Sequence, residues 1–393
     1  MNNDKKLLLL VEGIELPESA YESAKRRYED LGDWFDRNDC TLRGHEPHIF
    51  VQGSFALGTA IRPTKPGQEY DLDLSCKLRT GISRVTHSQQ QLKEMVGREL
   101  ESYRRFRQIE RALEPKNRCW RLNYKDGLRF HMDVVPSIPV DAGQRASLGL
   151  SIERHGADPN LSAQIAASAV WITDQRHPGF ALIQDSWLSS NPEGYIRWFV
   201  SRMEGERTLL EKRAQIDDVP IYARKTALQR IVQLLKAHRD VRFERAPDSK
   251  PISIILTTIA GEAYEPSRSL SHSMMTILRA FDDFRRSNSD TVLNPVNPAE
   301  NFADRWKTSE GRRRQLKENF HRWIVQVNAD FKYLLSQTDL QGLRKRAESS
   351  LKVHLDERAA AAALGITASP VVSSTSPRHV SIQSPPKPWG TEH

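Results

Sequence analysis

The chain has 393 residues, 38% of them apolar and 27% charged, enough for more than one core, since single domains usually hold about 100 to 200 residues. Its formal charge of +8 favours polyanionic partners, whether nucleic acid or free nucleoside triphosphates. Only Cys40, Cys76 and Cys119 occur, without paired spacing, which excludes a disulfide framework or a C-x-x-C zinc site and suits a reducing cytoplasm.

The apolar run Leu7 to Val11 is cut short by Glu12 and Glu15, too early for an export signal. From Pro17, apolar residues Tyr21, Ala24, Tyr28, Leu31, Trp34 and Phe35 recur at helical spacing and predict an amphipathic helix. His48 to Gln52 reads as a strand that Gly53-Ser54 stops before a brief Phe55 to Leu57 turn. After a loop carrying Pro63, Pro66 and Gly67 comes a strand over 70–78, then a charged helix over 88–107. Strands over 119–124 and 128–135 flank Lys125-Asp126-Gly127, a hairpin signal because Asp-Gly tolerates the positive φ of a tight turn.

From Pro192 the periodicity turns helical, over 194–203, 226–241, 252–264, 274–286, 312–337 and 340–364, with Asn294-Pro295-Val296-Asn297-Pro298 as a rigid separating loop. The stretch 252–261 is apolar yet short of the ~20 residues a spanning helix needs, so no membrane span is expected. Beyond Gly365 the prolines and serines predict a disordered tail. Its Arg378, Lys387 and Glu392 sum to +1, which leaves +7 of the +8 on the body. The pattern gives an α+β molecule in three parts: a catalytic core over 1–190 that is a small mixed sheet with helices, a helical lobe over 191–364, and the tail over 365–393.

Chemistry concentrates in Val51-Gln52-Gly53-Ser54-Phe55-Ala56-Leu57-Gly58-Thr59 followed by Tyr70-Asp71-Leu72-Asp73-Leu74. Strand alternation aims Asp71 and Asp73 to one side and Leu72 and Leu74 to the other. Two such carboxylates repel unless a divalent cation lies between them, and oxygen donors suit magnesium or manganese. In Phe130-His131-Met132-Asp133-Val134, the apolar residues share one face, so Asp133 falls on the side of the other two aspartates if the strands are neighbours. Gly53 admits a phosphate close to the backbone, and Ser54 adds a hydroxyl where unsatisfied N–H groups favour anions. Together these suit two-metal phosphoryl transfer. The basic runs Arg312-Arg313-Arg314 and Arg344-Lys345-Arg346 read as salt-bridged helix faces, paired with Glu310, Glu318 and Glu348, rather than as nucleic-acid contacts.

The Gly-Ser corner, the Asp-x-Asp and the later strand aspartate resemble the signature of the polymerase-β-like nucleotidyltransferases. More narrowly, residues 51–59 with Glu69 to Leu74 are similar to the bacterial cyclic-oligonucleotide synthases related to animal cyclic GMP-AMP synthase and oligoadenylate synthase. Asn191 to Tyr195, Leu235 to Asp240, Pro251 to Thr258 and Asn301 to Trp306 look like landmarks of that family's C-terminal lobe. The resemblance implies a polymerase-β-like core and two Mg²⁺ ions, with Mn²⁺ as a substitute, on Asp71, Asp73 and Asp133. It also implies Lys236 and Ser253 on the donor phosphates and Gln52 in the nucleotide pocket. Nucleoside triphosphates, ATP among them, would be joined into a cyclic di- or trinucleotide, with release of pyrophosphate, to switch on a separate effector protein in antiphage defence. The tail resembles those that a partner ligase conjugates to other proteins. No cysteine–histidine cluster matches the animal sensor's zinc insertion, which argues against gating by DNA. The same three aspartates would equally serve a template-free linear polymerase, and the basic body would also permit a catalytically silent nucleic-acid-binding scaffold.

Overall fold

A computed structural model describes residues 1–63, 70–124, 130–206, 225–267 and 269–366. Its sheet has seven strands: β1 (Pro47–Val51), β2 (Tyr70–Leu78), β3 (Glu114–Pro115), β4 (Trp120–Tyr124), β5 (Phe130–Pro139), β6 (Val170–Ile172) and β7 (Leu188–Ser190). The order is β1-β2-β5-β4-β3, with β6 added to β5 and β7 to β6. Only β2 and β5 pair in parallel; the other neighbours are antiparallel. The hairpin expected at Lys125-Asp126-Gly127 has its two strands, β4 and β5, but its turn lies outside the described residues, as do Pro66, Gly67 and Glu69.

Alternation decides which face is core. Leu72, Leu74, Leu122, Met132 and Val134 are at most 1% exposed and face α4 (Gln89–Phe106), whose Leu92, Val96, Leu100 and Tyr103 form one buried stripe at helical spacing. Each such aliphatic side chain contributes roughly 1.5–3 kcal/mol by leaving water. Ser88 caps α4 by accepting from Gln91 N–H while the Gln91 side chain accepts from Ser88 N–H, a reciprocal pair that satisfies two end donors. The helix expected from Pro17 is α2 (Glu18–Asp36). Buried Glu99 of α4 holds it, accepting from Trp34 Nε1 at 3.0 Å, from Thr41 Oγ1 at 2.7 Å and from Arg37.

Elements without a sequence reading also appear. α1 (Asn3–Ile14) covers the aborted Leu7–Val11 run and buries Leu7 and Leu10 completely. Its Lys6, 2% exposed, donates to the Leu335 and Gln337 carbonyls, each at 2.6 Å. α5 (Ala142–Arg154) and α6 (Pro159–Ala167) follow β5.

The C-terminal half is helical: α7 (Pro192–Ser201), α8 (Ala227–Arg242), α9 (Ser253–Ala263), α10 (Leu270–Ser287), α11 (Ser309–Arg313), α12 (Leu316–Ser336), α13 (Leu340–Leu351) and α14 (Glu357–Leu364). Three expectations are corrected here. The helix read over 312–337 is interrupted at Gln315 (φ 51°), and that over 340–364 at Lys352 (φ 56°); a left-handed residue ends one helix before the next begins. The stretch 294–298 is no plain loop: it joins β8 (Leu293–Asn294) to β9 (Asn297–Asn301), with the Asn294 side chain accepting from Val296 N–H at 3.0 Å. The basic runs are salt-bridged, though with partly different partners: Arg314 to Glu310 at 2.9 Å, Arg344 to Glu357 at 2.7 Å and Arg346 to Asp330. The expected tail from residue 367 onward lies outside the described residues.

Candidate active site

Strand pairing places the acidic residues. Asp73 of β2 lies opposite Asp133 of β5, and Asp71 opposite His131. Side chains on paired positions share a face, so all three aspartates stand on the side of the sheet away from α4. Before β2, β1 ends in a corner: Gln52 N–H donates to the Asp73 carbonyl at 2.8 Å, and Gly53 at φ 65° starts the single turn α3 (Gly53–Ala56). A Cβ on Gly53 would lie 2.1 Å from Asp73 Oδ2, so only glycine lets this backbone meet that carboxylate.

Above the sheet lies a cleft of about 620 Å³ whose walls include Gly53, Ser54, Asp71, Asp73, Lys236 and Ser253. Its far wall comes from α8, buried along nearly its whole length. At helical spacing, three α8 side chains bind the segment after the corner: Gln229 Nε2 to the Leu57 carbonyl at 3.0 Å, Gln233 Nε2 to Ala60 at 2.7 Å and Lys236 Nζ to Thr59 at 2.7 Å. The helical half is thereby fixed to the Gly53 corner of the sheet.

The sequence-derived residues divide as follows. Asp71, Asp73, Gly53, Ser54, Lys236 and Ser253 share the cleft. Gln52 and Asp133 are not among its lining residues; the Gln52 amide turns back to donate to the Leu74 carbonyl at 3.2 Å and braces the corner. Ser253 Oγ accepts from Arg239 Nη1 at 2.6 Å, and Arg239 also grips Asp240. Asp133 stands beside Asp73 but is held by Arg121 of β4, Nε to Oδ1 and Nη2 to Oδ2, both 2.7 Å. Arg121 was not singled out from the sequence. Alternation within 120–124 would have put it on the acidic face, but only the hairpin's register, Arg121 opposite Asp133, shows which aspartate it meets. Lys250, which also lines the cleft, and the α8 glutamines were likewise invisible without the fold.

Electrostatics follow from this packing. Burial, then the neighbouring charges of Asp71 and Asp133, push the Asp73 carboxyl up to about 7. Burial also raises Asp71, against the opposing pull of Arg121. Burial, joined by the charge of Arg239, pushes the Lys236 ammonium down to about 7. Among the described residues no three of His, Cys, Asp and Glu stand as a ready metal site, and Arg121 takes both oxygens of Asp133. Yet neither the Asp71 nor the Asp73 carboxylate accepts a hydrogen bond or salt bridge from a described residue. Two open carboxylates with a third in register form a hard-oxygen donor set that fits magnesium or manganese.

A glycine corner that brings bare backbone to paired carboxylates, beneath a cleft edged by lysine, serine and arginine, is chemically suited to phosphoryl transfer. The nucleotidyltransferase-domain family described as cyclic GMP-AMP synthase DncV-like matches residues 47–136. A c-di-GMP synthase of Roseivirga ehrenbergii is 32% identical over 311 residues, covering 76% of this chain and 72% of the relative. The cyclic dinucleotide synthase CdnG of Bradyrhizobium diazoefficiens is 25% identical over 340 residues, 81% of this chain and 73% of that one. The solved structure of that organism's CdnG with GTP superposes with a TM-score of 0.64 at 20% identity, over 92% of this chain and 98% of its own. The chain belongs to this family of nucleotidyltransferases, the bacterial DncV-like cyclic-oligonucleotide synthases. Among the described residues no helix is long and apolar enough to cross a membrane.

Proposed function

We propose that the protein joins two guanosine triphosphates into a cyclic dinucleotide, releasing pyrophosphate at each of two bond-forming steps. The observation that supports this reading best is the in-register placement of Asp73 and Asp133, with Asp71 on the same face, directly beneath the Gly53 corner. Magnesium held by these three carboxylates would supply charge neutralisation of the triphosphate and activation of the attacking ribose hydroxyl. The chain's own groups do the positioning. Gly53 and Ser54 admit the triphosphate to the corner, while Lys236 and Ser253 reach it from the opposite wall, where Arg239 orients the Ser253 hydroxyl. Guanine is favoured because the relative at 32% identity is named a c-di-GMP synthase. In the cell the product would act on a separate effector protein during phage attack.

The test is incubation of purified protein with GTP, or with all four triphosphates, and Mg²⁺, followed by phosphatase and mass spectrometry. A phosphatase-resistant cyclic product containing guanine is expected. Phosphatase-sensitive oligomers would instead identify a linear polymerase, and binding of RNA without turnover would identify a silent scaffold.

A further inference from the structure

Arg121, Asp133 and Asp73 stand side by side on β4, β5 and β2, a cation and two anions in a row across the sheet. The guanidinium contacts both oxygens of Asp133 in fork geometry, the strongest form of this pair. Both partners are largely buried, with side chains 25% and 16% exposed. Among the described residues Asp71 and Asp73 have no such partner. The three carboxylates are therefore unequal before any ion arrives: two are open, and the third is already neutralised.

Resting on the metal-dependent reading above, we propose that Arg121 is a positioning residue that occupies Asp133 in place of a cation and sets the divalent-ion concentration at which Asp133 is recruited. Without it, Asp133 would face Asp73 unneutralised in a half-buried setting, so the fork lets the protein hold three carboxylates together while ion-free. The same fork opposes the ion. It uses a lone pair on each oxygen and keeps a positive charge on the carboxylate that an incoming ion would share, a repulsion that in a partly buried site amounts to about tenfold or more in affinity.

Ion binding to the full chain without nucleotide separates this role from a plain strand crosslink. Free Mn²⁺ is followed by electron paramagnetic resonance, and thermal midpoints are measured in chelator and in saturating Mn²⁺, for wild type, Arg121→Met and Arg121→Lys. Arg121→Met is expected to melt below wild type in chelator, to recover most of that deficit with Mn²⁺, and to bind its weaker Mn²⁺ about tenfold tighter. Arg121→Lys, which cannot fork, should tighten Mn²⁺ binding by a smaller factor, and this variant carries the test should Arg121→Met fail to fold. Affinities equal to wild type, or a melting deficit that Mn²⁺ leaves unchanged, overturn the proposal while leaving the metal site standing. Absence of Mn²⁺ binding in wild type and both variants overturns the metal site itself and the proposal with it.

Discussion

Gly53 approaches Asp73 so closely that a methyl group there would fall 2.1 Å from Oδ2, at a backbone angle, φ 65°, that favours glycine. Corner and carboxylate are thus one unit, and Gly53→Ala must disturb both. We predict a loss of activity of about a hundredfold or more, in line with what small misplacements cost a catalytic group. The fold should survive, with the left-handed conformation costing about 1–2 kcal/mol. Turnover compared with a urea midpoint checks this; near-normal turnover would mean that the corner does not position Asp73.

Lys236 provides a pH signature. Its folded-state value, near 7, lies below the ordinary lysine value of about 10.5. Between these limits the unfolded chain holds a proton that the folded one lacks, so this group's contribution to stability rises with pH from about 7 toward 10.5, is lost as pH falls back across that range, and is flat below about 7. Lys236→Met removes that dependence. Urea midpoints of the variant relative to wild type should therefore fall between pH 6.5 and 9; a difference flat in pH would contradict the assignment.

Gln233, fully buried, donates to both the Ala60 carbonyl and Glu15 Oε2. Gln233→Leu leaves the Ala60 carbonyl without this donor, while Glu15 Oε2 keeps its bond from Lys225 Nζ, and should destabilise the protein by about 1–3 kcal/mol. Because the bond to Ala60 helps fix the corner to α8, the Michaelis constant for nucleotide should rise as well. Denaturation and steady-state kinetics on the one variant measure both; destabilisation with an unchanged Michaelis constant would show that the corner is held without it.

Glu99 tests the far side of the sheet. Burial raises its carboxyl, but hydrogen bonds from Thr41 and Arg37 outweigh that and hold it below the usual range. A lowered folded-state value stabilises the fold above about pH 4.5, and the contribution is lost as pH falls through the folded value. Glu99→Gln should thus cost stability at pH 7 and lose less than wild type on acidification, as acid denaturation followed by circular dichroism would show.

Sequence periodicity served best where one face of an element is buried and the other is not. β2, α2 and α4 alternate or recur cleanly, and their observed limits agree with expectation to within a residue or two. It failed where apolar residues run together or burial is all-round. The continuous run Leu7 to Val11 hides the α1 stripe of Leu7, Leu10, Val11 and Ile14, and α8 hides Gln233, Lys236, His238 and Arg239 among apolar neighbours, so neither pattern shows which partners satisfy its polar groups. The aspartates were legible because alternation within a strand is local. Arg121 was not, because its partner depends on strand register across a turn, and neither was the turn of the Gln52 amide toward the Leu74 carbonyl, which the fold alone decides.

All of this depends on three carboxylates acting together on a bound triphosphate. Asp71→Asn, Asp73→Asn and Asp133→Asn, each checked for folding, should be assayed with GTP and Mg²⁺ beside wild type, with product read by mass spectrometry after phosphatase. Each variant is expected to lose about a thousandfold or more in product formation, the several kcal/mol that ion-mediated charge stabilisation supplies. A folded variant at any of the three positions that makes cyclic product at close to the wild-type rate would contradict the assignment.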